Sequence, residues 1–147
     1  MDRDEERSLA ARLYNASWEL LEQSERSIDQ DVALLTNAFA SKFHWGEVGG
    51  PQQWIIGEWM VARAAAGTGW APLSLFFARR AFDAAEALGG PDWLVASTAE
   101  GVARAYRALN EQSECELWCR RAADLVDAIV NDEDRSIIAE QLASVLI

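Results

Sequence analysis

The sequence predicts an all-α protein: antiparallel helical hairpins stacked as a short array with a C-terminal capping helix. Three observations carry that expectation. Proline and glycine punctuate the chain at Gly49-Gly50-Pro51 and Gly89-Gly90-Pro91, each a stop followed by a start with proline in the favoured first turn. Between these breaks, apolar residues recur every three or four positions and not every second one. Part of the chain also repeats itself 41 residues later.

The first helix is expected over about 6–23, with Leu9, Leu13, Ala16 and Leu20 on one face. The second is expected over about 29–45, with Val32, Leu35, Phe39 and Phe43 as its stripe. The third, about 51–67, is apolar almost all round. Its charges are Glu58 and Arg63 alone, the pattern of a helix sandwiched between neighbours. The fourth opens at Ala71-Pro72 and covers about 71–88. The fifth, sixth and seventh follow over about 92–109, 112–130 and 133–146. Asp92 is a candidate N-cap for the fifth, and Asn131 or Asp132 for the seventh. The connections are short, so consecutive helices should run antiparallel.

Val61-Ala62-Arg63-Ala64 returns as Val102-Ala103-Arg104-Ala105, and Arg79-Arg80-Ala81 as Arg120-Arg121-Ala122. Asp83 then matches Asp124, and Ala87 matches Ala128, all at the same offset of 41 without a gap. The chain therefore reads as one helical-repeat domain over 1–147. A divergent first pair occupies 1–50, repeat units occupy 51–91 and 92–132, and 133–147 forms the capping helix.

The repeat unit resembles a tetratricopeptide-type helical hairpin. That family sets small residues where its two helices cross, and an aromatic residue late in the first. Ala103, Tyr106, Cys115 and Ala122 match those slots in the later unit. Ala62, Ala65, Gly69, Ser74 and Ala81 match in the earlier one, with Ala65 replacing the aromatic. Small side chains there let two helix axes approach closely. The chain departs from the family in period, 41 rather than about 34. Glu58 and Ala99 stand where a tryptophan is expected, and the closing proline is missing. The resemblance covers roughly 51–147 and implies a right-handed tetratricopeptide-like array. The segments His44-Trp45-Gly46 and Gly57-Glu58-Trp59 are also similar to small repeat proteins of actinobacteria, a likeness that brings no activity with it.

Composition narrows the function classes. Twenty-four acidic against 13 basic residues give a net charge of −11. Nucleic acids and anionic lipid surfaces attract basic faces, so neither is an expected partner. The charged start, Met1-Asp2-Arg3-Asp4-Glu5-Glu6-Arg7, lacks the apolar region of a signal peptide, and no long apolar window follows. The expected location is the cytoplasm. Cys115 and Cys119 stand four apart without a Cys/His cluster and read as small core residues; no metal site is expected. Gly67-Thr68-Gly69 is a helix-to-helix turn, not a phosphate loop, and no cofactor motif occurs.

In tetratricopeptide-like arrays the first helix of each pair lines a concave groove that binds a peptide or partner helix. By that resemblance the groove positions are Ile56, Trp59 and Arg63 in one unit, and Ser97, Glu100, Arg104 and Arg107 in the next. Arginines beside tryptophan suit a partner with acidic groups. The same arginines could equally be struts of the repeat, bonding helix ends or carboxylates within the chain. An alternative pocket for a small molecule or an acid–base reaction would gather His44, Trp45, Glu47 and Glu58 where the second and third helices meet. No nucleophile motif supports catalysis. Seven tryptophans is a high count, and any left exposed would mark a binding surface. The apolar end, Leu142 to Ile147, either docks on the preceding pair or meets a second chain in a homodimer. The leading expectation is a non-catalytic protein- or peptide-interaction module.

Overall fold

A computed structural model describes residues 1–146. Among them are seven helices and no strand: α1 (Arg3–Leu21), α2 (Ile28–Val48), α3 (Pro51–Gly67), α4 (Ala71–Leu88), α5 (Asp92–Ala108), α6 (Gln112–Asp127) and α7 (Asp132–Val145). Local chemistry sets the ends. Asp2 and Glu5 form a capping box that starts α1 three residues earlier than the apolar spacing suggests. Ser27 and Gln30 do the same for α2. Pro51 and Pro72 open α3 and α4, and Gly89 closes α4 in the left-handed conformation at φ 78°. Asn131 caps α7. Asp92 does not cap α5: Pro91 holds that position, and the Asp92 carboxylate accepts from the Val130 N–H at 3.1 Å.

Three hairpins follow, α1 with α2, α3 with α4, and α5 with α6. They stack through an inner row in which α1 touches α3, α3 touches α5 and α5 touches α7. The outer helices α2, α4 and α6 meet through side chains, Phe39 against Phe77 at 5.7 Å and Phe82 against Trp118 at 4.9 Å, while their backbones pack on their chain neighbours. This is a stacked array of helical hairpins, as the repeat predicts. The central α3 meets α1, α2, α4 and α5, which is why it is apolar on nearly every side.

Small residues bring the helices close. The Ser41 hydroxyl donates to the Ala10 carbonyl across the first hairpin, and Ser74 to Ala62 across the second, at 2.8 and 2.7 Å. Cys115 holds the matching position in the third. A Cβ built on Gly57 would lie 3.1 Å from the Lys42 Cα, so α2 and α3 need that glycine.

The face expected to bury α2 is not the one that does. Leu34, Ala38, Ser41 and Val48 are buried, whereas Val32, Phe39 and Phe43 are exposed and Leu35 is half-buried. A crossing tight enough for Ser41 to reach a neighbouring backbone has no room for phenylalanine, so the bulky stripe turns outward. At the other end of the chain, Leu142 and Val145 are buried against the last hairpin, so α7 docks internally. Leu146 is exposed, and Ile147 lies outside the described residues.

Most helices carry no basic residue in their last turn; α5, with Arg107, is the exception. Arginines from elsewhere supply what those ends lack. Arg7 donates to the Val48 carbonyl, and Arg26 to both Leu20 and Gly67. Arg135 donates to Ile129 just beyond α6. Each side chain puts a positive charge on orphan carbonyls at the negative end of a helix.

Candidate functional site

The inner row of helices forms two adjoining depressions that share Trp18. The first is an aromatic pocket of about 220 Å³ walled by Tyr14 and Trp18 of α1, Ile56 and Trp59 of α3, and Trp93 and Ser97 of α5. Asp134, Ile138 and Gln141 of α7 close its far side. The second is a wider cleft of about 630 Å³ between the ends of α1, α3 and α5. Arg26, Arg63, Arg104 and Arg107 line it, with Glu22 as the one acid. In a chain with a large acidic excess, this concentrates positive charge at one place.

The expected groove residues divide between these depressions. Ile56, Trp59 and Ser97 meet in the aromatic pocket, and Arg63, Arg104 and Arg107 in the cleft. Glu100 lines neither. It is fully buried behind them, and both Arg63 and Arg104 turn to it.

The arginines are not equivalent. Arg104 donates through Nε and Nη2 to one Glu100 oxygen at 2.8 and 2.6 Å, and reaches the Gln141 carbonyl and Ser144 hydroxyl of α7. Arg107 donates to the Val145 carbonyl, and Arg26 is shared among Asp31 and three carbonyls. These three are struts. Arg63 has five N–H donors, yet among the described residues its one hydrogen bond is a long 3.5 Å contact to Glu100. Its guanidinium lies over Trp18 at 5.3 Å and Trp59 at 6.0 Å. Burial, partly offset by Glu100, pulls the Arg63 pKa down to about 10, so at neutral pH it remains a cation.

Trp59 is fixed rather than free. It is buried, and its Nε1 donates to the Ser97 carbonyl at 3.0 Å. Gly101 leaves room for that ring: a Cβ there would sit 3.1 Å from the Trp59 Cδ1. Trp59 therefore forms a rigid floor, with Trp18 tilted 5.7 Å away.

The alternative pocket does not assemble. Glu58 is fully buried between α4, whose Arg80 donates to both of its oxygens at 3.1 and 3.0 Å, and α2, whose Lys42 lies 3.5 Å away. The His44 Nδ1 sits 2.9 Å from Glu6 of α1. Trp45 lines a separate recess with Tyr14, Gln53 and Ile56, and Glu47 is exposed. One fully buried carboxylate beside an arginine and a lysine is an ion pair holding α3 to its neighbours.

Tyr14, Trp18, Trp93 and Gln141 belong to the site but were not singled out for the groove from sequence. Tyr14 and Trp18 stand four apart, so they share one face of α1. That aromatic spacing was the available signal. It was hidden because the first hairpin lacks the repeat's markers. Comparison with family models, with curated proteins and with solved structures gives no match, and the site rests on its own geometry.

Proposed function

We propose that this protein is a non-catalytic interaction module whose concave surface, in a tetratricopeptide-like array, captures a peptide or protein segment. The segment places an acidic group on Arg63 and an adjacent apolar side chain in the aromatic pocket. Arg63 carries this reading: it is a desolvated cation, held between two indoles at the seam of a pocket and a cleft, with most of its donors unused. A carboxylate would use them, and charge-assisted bonds of this kind are the strong ones. The pocket is the size of a side chain rather than of a cofactor, and its apolar walls suit Leu, Phe or Met.

Selection of a random peptide library on the wild type and on Arg63→Met tests this. The wild type should enrich sequences with Asp, Glu or a terminal carboxylate next to a large apolar residue. Arg63→Met should not, while melting at the wild-type temperature. Enrichment of the same sequences by both proteins would overturn the assignment.

A further inference from the structure

We propose that the outer face of α2 is a homodimer interface, with α2 of one chain packed antiparallel on α2 of a second copy. This is a different surface from the groove and does not depend on it.

The core uses one face of α2 through Leu34, Ala38, Ser41 and Val48. A second apolar face remains outside. Ile28, Val32 and Phe43 are 83, 57 and 61 % exposed, Phe39 is also exposed, and Leu35 lies half-buried among them. Steps of four, three, four and four residues keep these five on one side of the helix for about 22 Å. Phe76 of α4, exposed and edge-on to Phe77 at 5.2 Å, widens the patch. Scattered apolar residues need no explanation, but a continuous stripe over four turns does.

Charge and symmetry identify the occupant. Two chains of net charge −11 repel each other over most of their surfaces. From Val32 to Ser41 no residue is ionisable, so here two copies can meet without that cost. Under a two-fold axis between Leu35 and Thr36, an antiparallel copy places Val32 against Phe39 and Ile28 against Phe43, each pair used twice. Asp31 and Lys42 are eleven residues, or about three turns, apart and so share one edge of the stripe. Each is already paired within its own chain, Asp31 with Arg26 at 2.7 Å and Lys42 with Glu58 at 3.5 Å, so this edge carries no unpaired charge into the contact. With the neighbouring row of α4, the face offers roughly 600 Å² per chain, the lower end for a specific complex, so the dimer should dissociate on dilution.

Sedimentation velocity of the full chain, from about 1 to about 500 µM, reads the outcome. The expected result is conversion from monomer to dimer with rising concentration. Val32→Glu and Phe43→Glu, both at exposed sites, should be monomeric throughout with unchanged helical content and melting. Leu146→Glu, at the apolar terminus, should dimerise like the wild type. Oxidation of a mixture of Val32→Cys and Phe39→Cys chains, each with Cys115→Ser and Cys119→Ser, should trap the mixed dimer. A monomer at every concentration overturns the proposal, as does a dimer unaffected by either glutamate. So does a wild type that stays monomeric yet floats with phosphatidylcholine vesicles through this stripe.

Discussion

Arg63 and Arg104 occupy the same place in consecutive repeats, and both reach 37 residues ahead to the next inner helix. Their roles separate because of what they find there. Arg104 meets the Gln141 carbonyl and Ser144 hydroxyl of α7 and a carboxylate; Arg63 meets the same carboxylate at the limit of bonding, with indoles on its flanks. Sequence made the two look alike, since the repeat fixes position while neighbours fix chemistry. A charge held in partly desolvated surroundings contributes little to the fold. Arg63→Met keeps the apolar stem, and its unfolding free energy should change by less than about 1 kcal/mol, as urea titration would show. Cys119 is the contrasting residue, buried and without an activating partner. Burial first, then the neighbouring Cys115 thiol at 4.0 Å, pushes its pKa up to about 11 from the usual 9.0. Iodoacetamide at pH 8 should leave Cys119 unmodified in the folded chain and alkylate it once urea unfolds the protein, which peptide mass mapping would report. The unfolded chain releases this proton first. The fold should therefore lose stability as pH rises from about 9 to about 11, and Cys119→Ala should flatten that decline.

At the scale of elements, helix positions were legible because their signals are local. Proline, glycine and the two capping boxes act within one turn, and the seven helices stand close to where spacing and punctuation place them. Which face of α2 goes inside was not legible. Hydrophobicity alone favours Val32, Phe39 and Phe43, yet the crossing with α1 and α3 is set by Ser41, Ala38 and Gly57, which are chosen for size. The helix is apolar on two sides, and only packing tells them apart. The docking of α7 through Leu142 and Val145 was one of two readings of its apolar end; what was hidden is the polar link, arginines of α5 reaching its backbone carbonyls. Arg104→Ala removes that link and leaves buried Glu100 with one distant cation. The loss should be about 3 kcal/mol, or roughly 10 °C in melting temperature. Amide exchange should show it first in α7, whose protection falls ahead of α1 to α4.

For the whole molecule, the 41-residue repeat foretold the stacked hairpins, and the inner row of helices then creates the groove. Half of the candidate site was readable that way: Ile56, Trp59, Arg63 and Ser97 all face the two depressions or frame them. Of the remainder, Tyr14 and Trp18 come from α1 and Gln141 from α7, outside the repeat, and Trp93 from α5 within it. The α1 and α7 residues meet there because α1 packs on α3 and α7 on α5, so both helices border the same pocket. Glu58, expected in the alternative pocket, and Glu100, expected in the groove, both lie in the interior as counter-ions, since a carboxylate placed between stacked helices must be paired there. What distinguishes this surface is one under-used cation beside a rigid aromatic pocket. The most direct test is calorimetric titration of a peptide selected on the wild type into wild-type and Arg63→Met protein. A charge-assisted contact of about 1.5–3 kcal/mol predicts roughly ten- to a hundredfold weaker binding by the variant at an unchanged melting temperature. Equal affinity for the two proteins would contradict the assignment of the groove to Arg63.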